Sequence, residues 1–150
     1  FDIYESSAGL PAAEAELLYK AREAVHMAYA PYSGFKVGAA ALLSNGKTIV
    51  GSNQENASFP AGLCAERVVL AMAAAYPGIA ISRLAVSYLP SSGIAGHPIA
   101  PCGICRQSLQ EFSQRTGLPI QLILAGMEGS VYVLQDAADL LPLAFNANEL

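Results

Sequence analysis

Apolar residues recur at three- and four-residue steps through Leu17, Leu18, Ala21, Val25 and Ala28, the spacing of one helix face. Pro11 opens that pattern and Pro31-Tyr32-Ser33-Gly34 stops it, which predicts a first helix running to about Ala30. The next two runs, Lys36–Leu43 and Thr48–Asn53, flank Asn45-Gly46, and that dipeptide favours the positive φ angles of a tight hairpin turn. Residues Cys64–Tyr76 are rich in Ala and apolar nearly all round, as a buried helix should be, and Pro77-Gly78 ends them. Leu84–Leu89 reads as a strand and Pro90–Pro101 as a Pro/Gly/Ser-rich loop. Gly103–Arg115 reads as a helix closed by Thr116-Gly117. Strands follow at Ile120–Ala125 and Val131–Leu134, and then a short helix at Asp136–Leu141.

The predicted order is α-β-β-α-β-α-β-β-α, an α/β fold with helices on both faces of a five-stranded mixed sheet, in three α-β-α layers. The last two strands are joined by a few turn residues around Glu128-Gly129. A parallel crossover takes a dozen or more residues, so these strands should be antiparallel. With no internal repeat or linker, residues 1–150 read as a single domain.

Composition narrows the function classes. Hydrophobic residues make up 53% of the chain and charged residues 13%, and the mean hydropathy is +0.38. Such an apolar chain either enters a membrane or covers surface against partners. The uncharged stretch Val68–Ser82 is broken by Pro77-Gly78, and Pro and Gly repeatedly interrupt the stretch after Leu84. Neither supplies the roughly 20 continuous apolar residues of a spanning helix, so self-association is the expectation. The net charge is −4, and the basic residues are scattered without the concentrated footprint of a nucleic-acid binder. Phe1–Leu10 lacks the charged start of a secretory segment. An odd cysteine count with one Cys-x-x-Cys pair favours metal or redox chemistry in a reducing cytoplasm over disulfides.

The candidate chemistry sits on Cys64, Cys102 and Cys105. Cys64 begins one predicted helix, and Cys102 and Cys105 flank the start of the next. Unpaired N–H groups at helix N-termini favour thiolate. Three thiolates with a fourth position open describe a catalytic zinc site; four protein ligands would describe a structural one. Alone, Cys64 reads as a small buried hydrophobe and the Cys-x-x-Cys pair as a redox pair. Glu66 and Pro101 change that balance, because Cys64-Ala65-Glu66 followed by Pro101-Cys102-Gly103-Ile104-Cys105 is the three-cysteine form of the zinc deaminase pattern.

At this point the sequence resembles the cytidine deaminase family, of the small homotetrameric kind. The resemblance runs through Ala30–Ala40, Gly51–Ser58, Cys64–Arg67, Pro101–Gln107 and Leu140–Phe145. It implies one zinc per subunit on the three cysteines, and Glu66 as the proton carrier between water, the ring N3 of cytosine and the departing amine. It implies that Asn53 and Glu55 bind the ribose hydroxyls, that Phe35 packs against the pyrimidine, and that Ala65 offers backbone contacts to the base. It also implies that Arg67 hydrogen-bonds a ligand sulfur, that Phe145 reaches into a neighbouring subunit's site, and that Tyr32 acts across an interface.

The expected function is hydrolytic deamination of cytidine and 2′-deoxycytidine in pyrimidine salvage, by a cytoplasmic homotetramer with shared sites. The expected partner is the nucleoside, with no nucleic acid and no membrane. A blasticidin S-type or other aminopyrimidine nucleoside deaminase is the alternative, and the Asn53/Glu55 pair weighs against it. A polynucleotide deaminase would carry a helix between the last two strands. A non-catalytic zinc or redox module leaves Glu66 and the open coordination position without a role.

Overall fold

In the computed structural model, which describes residues 1–149, the predicted hairpin forms from Lys36–Leu43 (β2) and Thr48–Ser52 (β3). Its strands pair from Gly38↔Ser52 to Leu42↔Thr48. Gly46 takes φ +83° in the turn, and the Asn45 side-chain carbonyl accepts from the Lys47 N–H at 3.1 Å. Ile81–Leu89 (β4) pairs antiparallel with β2 on its other side. Gln121–Ala125 (β5) runs parallel to β4, and Val131–Leu134 (β6) returns antiparallel to β5 across the short turn, as its length requires.

The sheet has six strands, not five. Asp2–Tyr4 (β1) adds to β6 in antiparallel register, giving the order β1-β6-β5-β4-β2-β3. With three residues, and Ile3 63% exposed, β1 has no alternating pattern of its own. It is strand only because the open edge of β6 offers backbone partners.

Three helices cover the sheet. Ala12–Ala24 (α1) lies on one face, while Ala65–Ala73 (α2) and Gly103–Thr116 (α3) lie on the other. The alternation of β2 sorts its side chains between them. Ala39, Ala41 and Leu43 share a core with Val69 and Leu109, whereas Ala40 packs with Leu17, Leu18 and Ala21. Residues two apart on a strand share a face, so the sheet builds two cores from one set of strands. The first helix ends earlier than its apolar spacing predicts. The chain tightens into a 3-10 turn at Val25–Met27 and leaves the helix, because the Tyr29 backbone bonds to Asn53 and Glu55 at the end of β3. The helix expected at Asp136–Leu141 is likewise a 3-10 turn, Ala137–Leu140, capped by the Asp136 carboxylate, and a further 3-10 turn follows at Ala147–Glu149.

Gly38 explains how closely α1 approaches the sheet. A Cβ there would lie 2.2 Å from the Ala21 carbonyl oxygen and 2.5 Å from the Val25 nitrogen. Both are backbone atoms of a packed helix end and have little room to yield. Gly38→Ala is therefore expected to cost about 1–3 kcal/mol through overpacking. At about 2–4 °C per kcal/mol for a domain of this size, a thermal melt reads the change directly. An unchanged midpoint would contradict the close approach.

Among the described residues, no helix is long and apolar enough to cross a membrane.

Candidate active site

Residues 53–64 lead from β3 to the start of α2 and are zipped onto the sheet end. Gln54 and Leu63 exchange backbone hydrogen bonds of 2.9 Å in both directions. Cys64 is thereby placed as the N-cap of α2, and Cys102 as the N-cap of α3. Both helices begin at the same region, so their positive ends converge there. Cys105 stands one turn into α3, 0% exposed.

The three sulfurs come together. Cys64 Sγ lies 3.7 Å from Cys102 Sγ, Cys102 Sγ lies 3.5 Å from Cys105 Sγ, and the ligand atoms of all three are within 4.8 Å of one another. These spacings are far beyond the roughly 2.05 Å of a disulfide. They match three corners of a tetrahedron around zinc, since sulfurs at about 2.3 Å from the ion stand roughly 3.8 Å apart.

Electrostatics make the same case. A hydrogen bond from the Cys105 thiol draws the Cys64 thiol down to about 6, against the opposing pull of burial and the Glu66 carboxylate. The Cys105 thiol is pushed up in turn, first by donating to Cys64 and then by burial and the Glu66 charge. Between these two thiols, the protein alone favours the charge on Cys64 and the proton on Cys105. A divalent cation is what would let all three sulfurs ionise together, so the donor set fits zinc.

Glu66, in the first turn of α2, is 4% exposed. Burial raises its carboxyl pKa, while its own backbone N–H and the Cys105 thiol pull weakly the other way. It lines the same cavity as Cys64 and Cys102 without joining the sulfur cluster. A carboxylate in that position is free to handle protons beside the metal position.

The cavity measures about 660 Å³, and its walls include Phe35, Asn53 and Glu55. The Asn53 amide bridges two backbones, accepting from the Val37 N–H at 2.7 Å and donating to the Phe35 carbonyl at 2.9 Å. One amide N–H and one oxygen lone pair remain for a ligand. The Glu55 carboxylate accepts from the Ser33 hydroxyl and from the Tyr32 N–H at 2.8 Å. The Ser33 bond and then the Tyr32 bond hold its pKa below the ordinary carboxylate value, keeping it ionised.

The other expected residues are placed as follows within one chain. Phe145 is 58% exposed and does not line this cavity; its carbonyl accepts from Gln107 Nε2 at 2.9 Å. The Ala65 side chain is buried in the core, but as the first residue of α2 it has a backbone N–H without an intrahelical partner. Arg67 donates to the Gly62 carbonyl at 3.4 Å rather than to a sulfur, though its charge still helps lower the Cys64 pKa. Tyr32 lines the cavity of its own chain. Gln54, Ile99 and Ala100 also line the wall, and no local pattern in the sequence marks them. The last two lie in the Pro/Gly/Ser-rich loop, where no periodicity marks an inward-facing residue.

Comparison with known proteins bears on the whole arrangement. The family described as "Cytidine and deoxycytidylate deaminase zinc-binding region" matches residues 12–117. A cytidine deaminase of Halalkalibacterium halodurans is 34% identical over 134 residues, spanning 89% of this chain and 95% of its own length. One from Sporosarcina psychrophila is 34% identical over 135 residues, spanning 90% and 93% respectively. The crystal structure of cytidine deaminase from Burkholderia pseudomallei aligns with a TM-score of 0.75 and 40% identity, covering 91% of this chain and 100% of that one.

Proposed function

The chain belongs to the cytidine and deoxycytidylate deaminase family, and from that premise we propose that it hydrolyses cytidine and 2′-deoxycytidine to uridine and 2′-deoxyuridine with release of ammonia. The observation that carries the reading is the convergence of the three-sulfur cluster and the buried Glu66 carboxylate on one cavity. Cys64, Cys102 and Cys105 hold the zinc. When bound, zinc supplies the acidity that makes water a nucleophile near neutral pH.

Glu66 does the proton work. It takes a proton from water and delivers it to ring N3 as the water oxygen bonds to C4, then takes the proton of the new C4 hydroxyl and passes it to the amine as the C4–N bond breaks. Water supplies the oxygen of the new carbonyl, and ammonia carries away the nitrogen. Burial suits Glu66 to both halves of that task, because a carboxyl with a raised pKa holds a proton more readily and so serves as base and then as acid. Arg67 offsets part of the thiolate charge, a role supported by its pull on Cys64.

Asn53 and Glu55 bind the ribose hydroxyls, Phe35 packs against the pyrimidine, and the Ala65 backbone contacts the base. Two carboxylates, Glu55 and Glu66, line the cavity, and among the described residues of one chain no Lys, Arg or His lines it. That balance favours a neutral nucleoside over a 5′-phosphorylated one, whose dianion would meet like charge without a cationic partner. A pair built for hydroxyls also discriminates against ligands lacking them, which disfavours free cytosine and blasticidin S.

The active form is a homotetramer in which Phe145 of one subunit closes a neighbour's site. Exposed apolar side chains support assembly, among them Phe1 at 75%, Ile104 at 63% and Phe145 at 58%. Residues 1–150 act as a single cytoplasmic catalytic domain in pyrimidine salvage, with no nucleic-acid or membrane partner.

An absorbance assay with cytidine, deoxycytidine, CMP, cytosine and blasticidin S tests this reading. Turnover is expected for the two nucleosides, with kcat/KM for the other three lower by about 100-fold or more, as befits lost or unpaired polar contacts. No turnover of either nucleoside would refute it.

A further inference from the structure

Tyr88 lies behind the cavity wall rather than in it. It is 3% exposed and sits on β4 opposite Val37 of β2, while Phe35 and Val37 face the cavity. The rings of Phe35 and Tyr88 stack, with centroids 5.3 Å apart and 18° between planes. Tyr88 also meets the His97 ring edge-on at 6.0 Å and 69°, with its hydroxyl 3.5 Å from the imidazole nitrogens. Three rings thus run in a row from the cavity to the loop before Cys102.

Each end of that row is anchored separately. The Phe35 N–H donates to Ser33 Oγ at 2.9 Å, and its carbonyl accepts from the Asn53 amide at 2.9 Å. Those bonds fix the backbone and leave the ring free to rotate about its side-chain torsions. The loop carrying His97 is pinned to the β5–β6 turn, where the Glu128 N–H donates to the Ala95 carbonyl at 3.2 Å. Gly126 and Gly129 permit the contact, since a Cβ on them would lie 1.9 and 2.1 Å from the Ala95 and Gly96 carbonyl oxygens. Among the described residues, the aromatic ring stacked on Phe35 is that of Tyr88.

We propose that Tyr88 is a positioning residue for substrate recognition, which holds the Phe35 ring in the orientation that packs against the pyrimidine. This rests on the reading of Phe35 as the base-packing residue. Tyr88 acts through Phe35 and not on the reacting atoms, so it sets KM far more than kcat. Glu66 is on α2 and Cys105 on α3, with Cys64 and Cys102 at the starts of those helices, so all four stand on elements other than β4.

The test is a double-mutant cycle in the zinc-loaded enzyme with cytidine as substrate. Tyr88→Leu is expected to raise KM about three- to tenfold, the range of one aromatic pair, and to change kcat less than about twofold. Tyr88→Phe keeps the stacked face and should stay within about twofold of wild type in both constants. In a Phe35→Leu background, adding Tyr88→Leu should change KM by less than about twofold, because the group it positions is already gone. If Tyr88→Leu does not retain zinc, Tyr88→Met, which keeps more of the buried volume, takes its place in the cycle. An unchanged KM in the single variant, or independent losses that multiply in the double, would overturn the proposal. Wild-type enzyme without nucleoside turnover, or Phe35→Leu with unaltered KM, would instead overturn the reading beneath it, and the proposal with it.

Discussion

Glu66→Ala is expected to lower kcat for cytidine by about 10²–10⁴-fold, the contribution of a well-placed general acid–base, while zinc stays bound. Activity should fall because no other carboxylate lies where Glu66 does. Glu55 is engaged by Ser33 and by the Tyr32 N–H. Zinc should stay because Glu66 is outside the sulfur cluster. Its negative charge raises the pKa of both Cys64 and Cys105, so removing it eases ionisation of the ligands.

Glu66→Gln refines the test. It keeps the shape and hydrogen-bonding reach of the side chain and removes only the titratable proton site. If position 66 mattered through packing alone, Gln would restore turnover; as a proton carrier it should be about as inactive as Ala. Steady-state kinetics alongside metal analysis of the same samples decide the matter. Near-normal turnover in either variant would remove Glu66 from the reaction.

The sequence made the zinc cluster and its carboxylate legible because the chemistry is written into neighbouring residues. Cys64 and Glu66 are two apart, Cys102 and Cys105 three apart, and each pair begins a helix. Helix starts have local signals, so the site can be read without the tertiary fold. The three-layer arrangement was legible for a related reason, since the alternation of β2 and the apolar face of α1 are local patterns.

What escaped notice depends on partners far along the chain. β1 exists only because β6 has an open edge. The early end of α1 follows from Tyr29 bonding to the end of β3, although Val25 and Ala28 continue a helical spacing. The amide of Asn53 looks like a free polar strand end, yet it bridges the Val37 and Phe35 backbones. Tyr88 alternates as an ordinary core residue of β4, and nothing local distinguishes it from the others.

Cys105→Ser should have the second large effect, and it links the site to the stability of the fold. A serine oxygen is a poorer zinc donor than a thiolate, and this position is fully buried, so no water can replace the sulfur without disturbing α3. Zinc content should fall from about one per chain to a small fraction of that, and cytidine turnover should fall with it.

The ion also ties the start of α2 to the start of α3, so its loss costs stability. Free zinc at about 1,000 times its Kd contributes about 4 kcal/mol to the folded state, or roughly 8–16 °C in the midpoint of a domain this size. Chelation of the wild-type protein should therefore lower its melting temperature on that scale, and the same treatment should leave Cys105→Ser almost unmoved. A packing defect at Cys105 predicts the opposite pattern, with both proteins shifting equally on chelation.

The sign of the pH effect follows from the thiols. Cys105 is held protonated by its donation to Cys64, so taking up zinc must expel that proton. Affinity should fall as pH falls, the chelation shift should shrink with it, and proton release should accompany zinc uptake in weakly buffered solution. Zinc affinity independent of pH would place the ion away from these three sulfurs.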